Sequence, residues 1–142
     1  EVPDVKEQIR KLNLPVEKVN YFFGDQQERS RARRVLQERG DVIVSSSLDN
    51  NLEINAPGAT KGEAILRLAG HLGLCREQTM GFGDGENDMT MIRTAGIGVA
   101  MGNAVEALKA EADYVTVTND EDGVADAIEK LVLNVEMESR HN

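Results

Sequence analysis

Residues 61–132 alternate between short apolar segments and amphipathic segments, and this alternation constrains the fold more than any other feature of the chain. Nearly continuous apolar strands separated by helices are typical of a parallel sheet covered on both faces. We therefore predict an α/β fold with a parallel sheet. In the first helix, the 3.6-residue spacing predicts that Ile65, Leu68, Ala69 and Leu72 face the core. The predicted strands are Thr79–Phe82, Ile97–Met101 and Asp113–Val117, and the predicted helices are Lys61–Leu72, Asp88–Thr94, Val105–Glu111 and Val124–Val132.

Residues 1–56 carry a looser pattern that predicts a separate, small α/β layer. Its last two strands are joined by a polar turn, which is typical of an antiparallel pair. We place the domain boundary between residues 56 and 57. The predicted helices of this layer are Val5–Leu12 and Gln26–Arg39, and the predicted strands are Val19–Phe23, Asp41–Ser47 and Leu52–Asn55.

The composition limits the compartment and the binding partners. The formal net charge of the 142 residues is −9, which argues against general binding to nucleic acid or to anionic membranes. No apolar run reaches membrane-spanning length, and the only cysteine, Cys75, leaves no intrachain disulfide. We expect a cytoplasmic protein. Because the sequence begins with Glu1 and not with methionine, we also expect a truncated, processed or excerpted chain.

The turn that follows the predicted strand Thr79–Phe82 concentrates carboxylates and an amide, in the order Gly83-Asp84-Gly85-Glu86-Asn87-Asp88. Ligands of parallel sheets bind beyond the carboxyl ends of the strands, and Mg²⁺ commonly takes one or two protein carboxylates. We therefore predict that Asp84 binds Mg²⁺ and that Asn87 donates to a phosphate oxygen. Asp88 either binds the ion through water, holds a lysine in place or caps the next helix.

Lys61 begins a predicted helix and supplies a compact positive charge on a long stem. Such a charge can neutralise a transferring phosphoryl group, whose chemistry depends mostly on positioning and electrostatics. Taken singly, Lys61 is typical of a solvated surface lysine, and Asp84 is typical of a turn residue beside glycine.

The order of Lys61 and the Asp84 turn, 23 residues apart, resembles the third and fourth motifs of the haloacid dehalogenase superfamily. Further segments resemble its Cof-type branch. The resemblance is close over residues 52–133 and looser over residues 1–51. It favours a phosphate site over the interpretation of Lys61 as a surface lysine and Asp84 as a turn residue. The additional segments are Leu52-Glu53-Ile54 and residues 95–104, 112–116 and 119–124.

This resemblance implies a Mg²⁺-dependent phosphatase that acts on a small phosphorylated metabolite, such as a sugar phosphate or phosphorylated cofactor, through an aspartyl-phosphate intermediate. It implies that Lys61 contacts the phosphoryl group and the nucleophile, that Asp84 binds Mg²⁺ and that Asn87 contacts the substrate phosphate. Lys61 and Asp88 are the two candidate catalytic residues. It also implies that residues 57–142 contain the later strands of a Rossmann-like core, and that the first domain is part of an α/β cap.

The sequence departs from the family at its first motif, an Asp-x-Asp strand that carries the nucleophile. Asp120-Glu121-Asp122 has the Asp-x-Asp spacing but lies after the predicted Mg²⁺-binding turn at Asp84. Residues 42–46 resemble the strand of the family that ends in Ser or Thr, but their position in the sequence matches a strand of the cap. We therefore expect the C-terminal half of a phosphatase, inactive alone. Because a sheet without its first strands exposes an apolar edge, we expect association with the missing N-terminal half or self-association.

Three other functions compete with this interpretation. A non-catalytic pseudo-phosphatase that binds phosphate or metal agrees with the missing nucleophile. Dinucleotide binding through Gly96–Gly102 does not fit, because the spacing departs from G-x-G-x-x-G and the glycines bracket a predicted strand. A calcium loop at residues 84–88 or 119–123 lacks the required ligand spacing and distal glutamate.

Overall fold

The computed structural model describes residues 4–13, 16 and 18–133. It divides the chain into two compact units, Glu1–Ala59 and Thr60–Asn142. None of the helices in these described ranges is long and apolar enough to cross a membrane.

In its described residues, the first unit contains a three-stranded antiparallel sheet and two helices. The central strand pairs with both others, with Val19 and Val44 opposite Ile54. The longer helix is closed at both ends, since the Asp25 side chain accepts hydrogen bonds from the backbone at its start and Gly40 ends it at φ 70°. The elements are α1 (Val5–Leu12), β1 (Lys18–Phe22), α2 (Gln26–Arg39), β2 (Ile43–Ser45) and β3 (Asn51–Asn55), with strand order β1-β3-β2.

The central strand β3 is buried but largely polar. Asn51 is fully buried, and its Oδ1 accepts hydrogen bonds from the backbone N–H groups of Ser47 and Leu48 at 3.1 and 3.0 Å. Glu53 is 6% exposed and pairs with Lys18 Nζ at 2.8 Å. These contacts satisfy polar groups that would otherwise be costly to bury, and they fix the turn that precedes β3.

The second unit contains a parallel sheet, which confirms the predicted α/β fold class. Strand β5 lies between β4 and β6, with Gly83 opposite Ala100 and Val99 opposite Tyr114. The elements are α3 (Lys61–His71), β4 (Met80–Gly83), α4 (Met89–Thr94), β5 (Ile97–Ala100), α5 (Glu106–Lys109), β6 (Tyr114–Val115) and α6 (Gly123–Leu131). The core forms around Ile92 of α4 and Leu108 of α5, with Ala100, Met101 and Ala104 between them.

Helix α3 buries only part of the face that the sequence predicts. Ala69 is buried and Ile65 is partly buried, but Leu68 and Leu72 are 58% and 61% exposed. The reason lies at Gly62, where an ideal Cβ would lie 2.5 Å from the Thr90 carbonyl oxygen of α4. The two helices approach each other through this small residue, and that approach fixes which side of α3 is inward.

The close approach at Gly62 leads to a paired test within one helix. In the full-length protein that contains this chain, we expect Gly62→Ala to lower the free energy of unfolding by about 1–3 kcal/mol, because backbone must move to admit the methyl group. Gly70→Ala is the matched control, since nothing lies within 4 Å of its ideal Cβ. It should stabilise the helix by up to about 1 kcal/mol. Thermal unfolding of both variants measures the difference, and shifts of the same sign would contradict the packing.

A buried carboxylate joins helix α6 to the segment after β6. Asp126 is 9% exposed, and its carboxylate lies 2.7 Å from Lys130 Nζ and accepts a hydrogen bond from Thr116 Oγ1 at 3.0 Å. The hydrogen bond from Lys130 lowers the pKa of Asp126, burial opposes this, and the Thr116 hydroxyl lowers it further. Together these effects hold the pKa of Asp126 below the ordinary value of an aspartate.

This shift predicts how the stability of the second unit depends on pH. Because folding lowers the pKa of Asp126, the unfolded chain binds more protons in the acid range. The stabilisation is therefore complete above the ordinary aspartate pKa and is lost as pH falls through the lower folded pKa. We expect the Tm difference between wild type and Asp126→Asn to be largest at neutral pH and to shrink in acid. A difference that grows in acid would contradict this.

Candidate active site

The turn after β4 is closed by the side chain of Asp88. Asp88 Oδ2 accepts hydrogen bonds from the backbone N–H groups of Asp84 at 3.0 Å and Gly85 at 3.2 Å. The same side chain fills the space beside Gly83, where an ideal Cβ would lie 2.4 Å from the Asp88 Cβ. Any larger residue at position 83 would displace Asp88, so glycine is needed for the turn to close.

The second oxygen of Asp88 holds Lys61. The Lys61 ammonium group donates a hydrogen bond to Asp88 Oδ1, and Asp88 is 5% exposed. Burial raises the pKa of Asp88, but the hydrogen bond from Lys61 and the two backbone hydrogen bonds lower it by more. The carboxylate is therefore held in its charged form. Of the three roles predicted for Asp88, the one that this geometry supports is holding a lysine in place. Its side chain makes no capping hydrogen bond to α4.

Lys61 is positioned by the start of helix α3. The Thr60 side chain accepts a hydrogen bond from the Glu63 backbone N–H at 3.1 Å and so caps the helix that Lys61 begins. The adjacent Gly62 N–H donates to Thr90 Oγ1 at 3.2 Å, which ties this end of α3 to α4. The Lys61 side chain remains 48% exposed, so its ammonium group is accessible to a ligand while it is paired.

One carboxylate thus joins two residues that lie far apart in sequence. Asp88 bonds the side chain of Lys61 through one oxygen and the backbone of Asp84 through the other. The structure therefore brings the predicted site residues Lys61, Asp84 and Asp88 together at the carboxyl end of β4, where parallel sheets bind ligands.

The fourth predicted residue, Asn87, lies in the same turn. It is partly buried within a short 3₁₀ segment, Glu86–Asp88, that precedes α4. Its Oδ1 lies 3.0 Å from the position of an ideal Cβ on Gly85, so its amide lies above the glycine backbone. No hydrogen bond of this amide occurs among the residues that the structure describes, which leaves it available to a ligand.

Asn103, which is not among the predicted site residues, lies beside Asp84 and is held by the backbone of Asn119. Asn103 Nδ2 donates to Asp84 Oδ2 at 3.4 Å, and Asn103 Oδ1 accepts from the Asn119 backbone N–H at 3.0 Å. Both follow strands of the parallel sheet, Asn103 after β5 and Asn119 after β6. That position after neighbouring strands was the signal available in the sequence.

The donor set of this chain fits a divalent ion only in part. Within residues 4–13, 16 and 18–133, the structure contains no group of three or more His, Cys, Asp or Glu side chains placed to hold a metal ion. Asp84 offers an exposed carboxylate with hard oxygen atoms, and Asp88 uses both of its oxygens within the turn. One exposed carboxylate matches the small number of protein ligands that Mg²⁺ commonly takes.

The other acidic and glycine-rich segments have structural roles. Glu121 accepts hydrogen bonds from the Thr118 hydroxyl and backbone, so it is used to close a turn. The glycines of residues 96–102 precede, occupy and follow β5, and none opens a helix after the strand as a dinucleotide-binding loop would. Strand β2, which contains Ser45, pairs antiparallel with β3 outside the parallel sheet.

Comparison with known proteins identifies the family to which this chain belongs. Residues 1–128 match the haloacid dehalogenase-like hydrolases. The chain belongs to that family. Among its relatives, the 5-amino-6-(5-phospho-D-ribitylamino)uracil phosphatase YcsE of Bacillus subtilis is 40% identical over 116 residues, which cover 82% of this chain and 47% of that protein. This confirms the resemblance drawn from Lys61 and the Asp84 turn.

Solved structures agree with this haloacid dehalogenase-like assignment. A haloacid dehalogenase-like hydrolase from B. subtilis superposes with a TM-score of 0.85 at 34% identity, over 92% of this chain and 46% of that one. The subclass IIB sugar phosphatase BT4131 gives a TM-score of 0.74 at 37% identity, over 83% of this chain and 44% of that one. The chain spans about half the length of the relatives it matches.

Proposed function

We propose that this chain forms part of a Mg²⁺-dependent phosphatase that hydrolyses a small phosphorylated metabolite through an aspartyl-phosphate intermediate. The strongest support is the buried Asp88 carboxylate, which joins the Lys61 ammonium group to the backbone of Asp84. This linkage sets a positive side chain beside a turn that carries an exposed carboxylate. Phosphoryl transfer depends mainly on charges placed in this way.

Each of the four predicted site residues has one role in this proposal. Asp84 binds Mg²⁺, which when bound neutralises charge on the phosphoryl oxygens. Lys61 contacts the phosphoryl group with its exposed ammonium face, and Asp88 positions Lys61. Asn87 donates from its amide to an oxygen of the substrate phosphate.

The attacking carboxylate in this proposal lies outside the 142 residues. An aspartate oxygen bonds to phosphorus as the bond between phosphorus and the substrate oxygen breaks, and the leaving alcohol takes up a proton. Water then hydrolyses the aspartyl phosphate, which releases inorganic phosphate and regenerates the aspartate. Because Asp84 and Asp88 of the turn already have other roles in this proposal, we expect this chain to be inactive alone.

The exposed apolar surface of the second unit supports association with further protein. Leu68 of α3, Leu72 directly after that helix and Val124 of α6 are 58%, 61% and 44% exposed, and apolar surface of this kind often marks contact sites. We propose that the N-terminal half of the same protein or a second copy covers it. We also propose that residues 1–56 are part of a cap that selects the substrate, and that the protein is cytoplasmic.

The names of the similar proteins narrow the substrate candidates. YcsE acts, by its name, on a phosphorylated ribitylaminouracil, and BT4131 is described as a sugar phosphatase. Both substrates are phosphomonoesters of polyhydroxylated carbon chains. We propose a substrate of that class for this protein.

A phosphate-release assay tests the proposed activity. We expect the full-length protein to release phosphate from an aryl phosphate and from at least one sugar phosphate or ribityl phosphate, with Mg²⁺ and not with excess EDTA. Residues 1–142 alone serve as the matched control and should release none. Mg²⁺ binding by the full-length protein without release from any of these compounds would support the pseudo-phosphatase alternative instead.

A further inference from the structure

Asn103 connects Asp84 to a second loop of the parallel sheet. Its side chain lies between Asp84 Oδ2, at 3.4 Å, and the Asn119 backbone N–H, at 3.0 Å. Both neighbouring loops are anchored independently. The Val105 N–H donates to the Asp84 carbonyl oxygen at 3.0 Å, and the Gly102 N–H donates to the Val117 carbonyl oxygen at 3.0 Å. Asn103 is exposed, but the backbone on both sides of it is fixed.

The hydrogen-bond partners determine which way the Asn103 amide faces. A backbone N–H only donates, so the atom of Asn103 that faces Asn119 must be its oxygen. The amide nitrogen must then face Asp84, whose carboxylate only accepts. The orientation therefore follows from the chemistry of the partners, and one oxygen of Asp84, Oδ2, is engaged by a donor. Asp84 Oδ1 has no such side-chain donor among the described residues.

We propose that Asn103 is a positioning residue that restricts Asp84 to binding a metal ion through Oδ1 alone. This inference rests on the proposed role of Asp84 as a Mg²⁺ ligand. Mg²⁺ demands near-ideal octahedral geometry, whereas Ca²⁺ accepts six to eight oxygens and commonly binds both oxygens of a carboxylate. A donor on Oδ2 therefore favours the smaller ion, and Asn103 contributes to selectivity for Mg²⁺ over Ca²⁺ as well as to affinity.

Metal titration of the full-length protein by calorimetry, without substrate, tests this role. We expect Asn103→Ala to weaken Mg²⁺ binding by about tenfold, which is the lower end of the effect of losing a partner that orients a metal ligand. Ca²⁺ binding should be unchanged or tighter, because Oδ2 becomes free. Asn103→Leu, which keeps the side-chain size but has no donor, should behave in the same way. Asn119→Ala is the matched control, since it retains the backbone N–H that Asn103 uses.

The outcomes separate this inference from the proposed function. Equal losses of Mg²⁺ and Ca²⁺ affinity in both Asn103 variants would indicate a merely structural role and would overturn the inference, as would unchanged Mg²⁺ affinity. Asp84→Asn is titrated alongside them. If Asp84→Asn retains Mg²⁺ binding, the metal role of Asp84 fails; if it loses Mg²⁺ while both Asn103 variants match wild type, only the inference about Asn103 fails.

Discussion

Asp84→Asn in the full-length protein is expected to reduce Mg²⁺-dependent phosphate release by at least about 100-fold. A bound metal ion contributes several kcal/mol of transition-state stabilisation, and about 1.4 kcal/mol corresponds to a tenfold change in rate. The substitution keeps the shape of the side chain but removes its charge. Because Asn103 donates to the Oδ2 position, the new amide oxygen would occupy that position and its NH₂ group would face the metal ion.

The control for this substitution lies in the same turn. Glu86→Gln removes one negative charge two residues away, and the exposed Glu86 side chain has no role in the proposed site. Steady-state rates at saturating Mg²⁺ should fall for Asp84→Asn and stay near wild type for Glu86→Gln. Comparable losses in both variants would show that the net charge of the turn matters, and not the particular carboxylate of Asp84.

Lys61→Ala is expected to lower the rate by about 100- to 1,000-fold, the usual effect of removing a group that stabilises transition-state charge. It should also destabilise the second unit, because Asp88 is 5% exposed and would lose its charged partner. Unsatisfied buried groups cost about 1–3 kcal/mol. Rates with an aryl phosphate and the Tm of the same samples measure the two effects separately.

A second substitution distinguishes the catalytic effect of Lys61 from its structural effect. In the double variant Lys61→Ala/Asp88→Asn, the buried charge is removed together with its partner, so much of the lost stability should return. Activity should not return, because no ammonium group faces the phosphoryl oxygens. Recovery of activity together with stability would mean that Lys61 acts only by keeping the turn folded.

The turn that carries Asp84, Asn87 and Asp88 was predictable because its signals are local, whereas Lys61 was linked to it by the family resemblance. Gly83 and Gly85 mark a turn directly after an apolar strand, and Asp88 follows within one short 3₁₀ segment. The parallel sheet was predictable for a similar reason, since its strands are apolar and are separated by helices. The predicted strand Asp113–Val117, however, is reduced to Tyr114–Val115, because strand ends depend on pairing with a neighbour and not on local sequence.

The contacts around Asp84 were not predictable because they join residues that are distant in sequence. The positions of Asn103 and Asn119 after neighbouring strands do not show that the Asn103 side chain meets both the Asp84 carboxylate and the Asn119 backbone, since that depends on how the loops after β5 and β6 are placed. The exposed Leu68 is a second example. Spacing alone places it on the apolar face of α3, but the buried side of the helix runs along Gly62 and Ala69 and leaves Leu68 exposed.

A structure of the full-length protein with Mg²⁺ and orthovanadate would locate the phosphoryl site itself. We expect one Asp84 oxygen at about 2.1 Å from the ion. We also expect Lys61 Nζ within hydrogen-bond distance of a vanadate oxygen, and Asp88 still bound to Lys61. Vanadate bound elsewhere, or an ion whose ligands exclude Asp84, would contradict the assignment of this turn as the phosphoryl site.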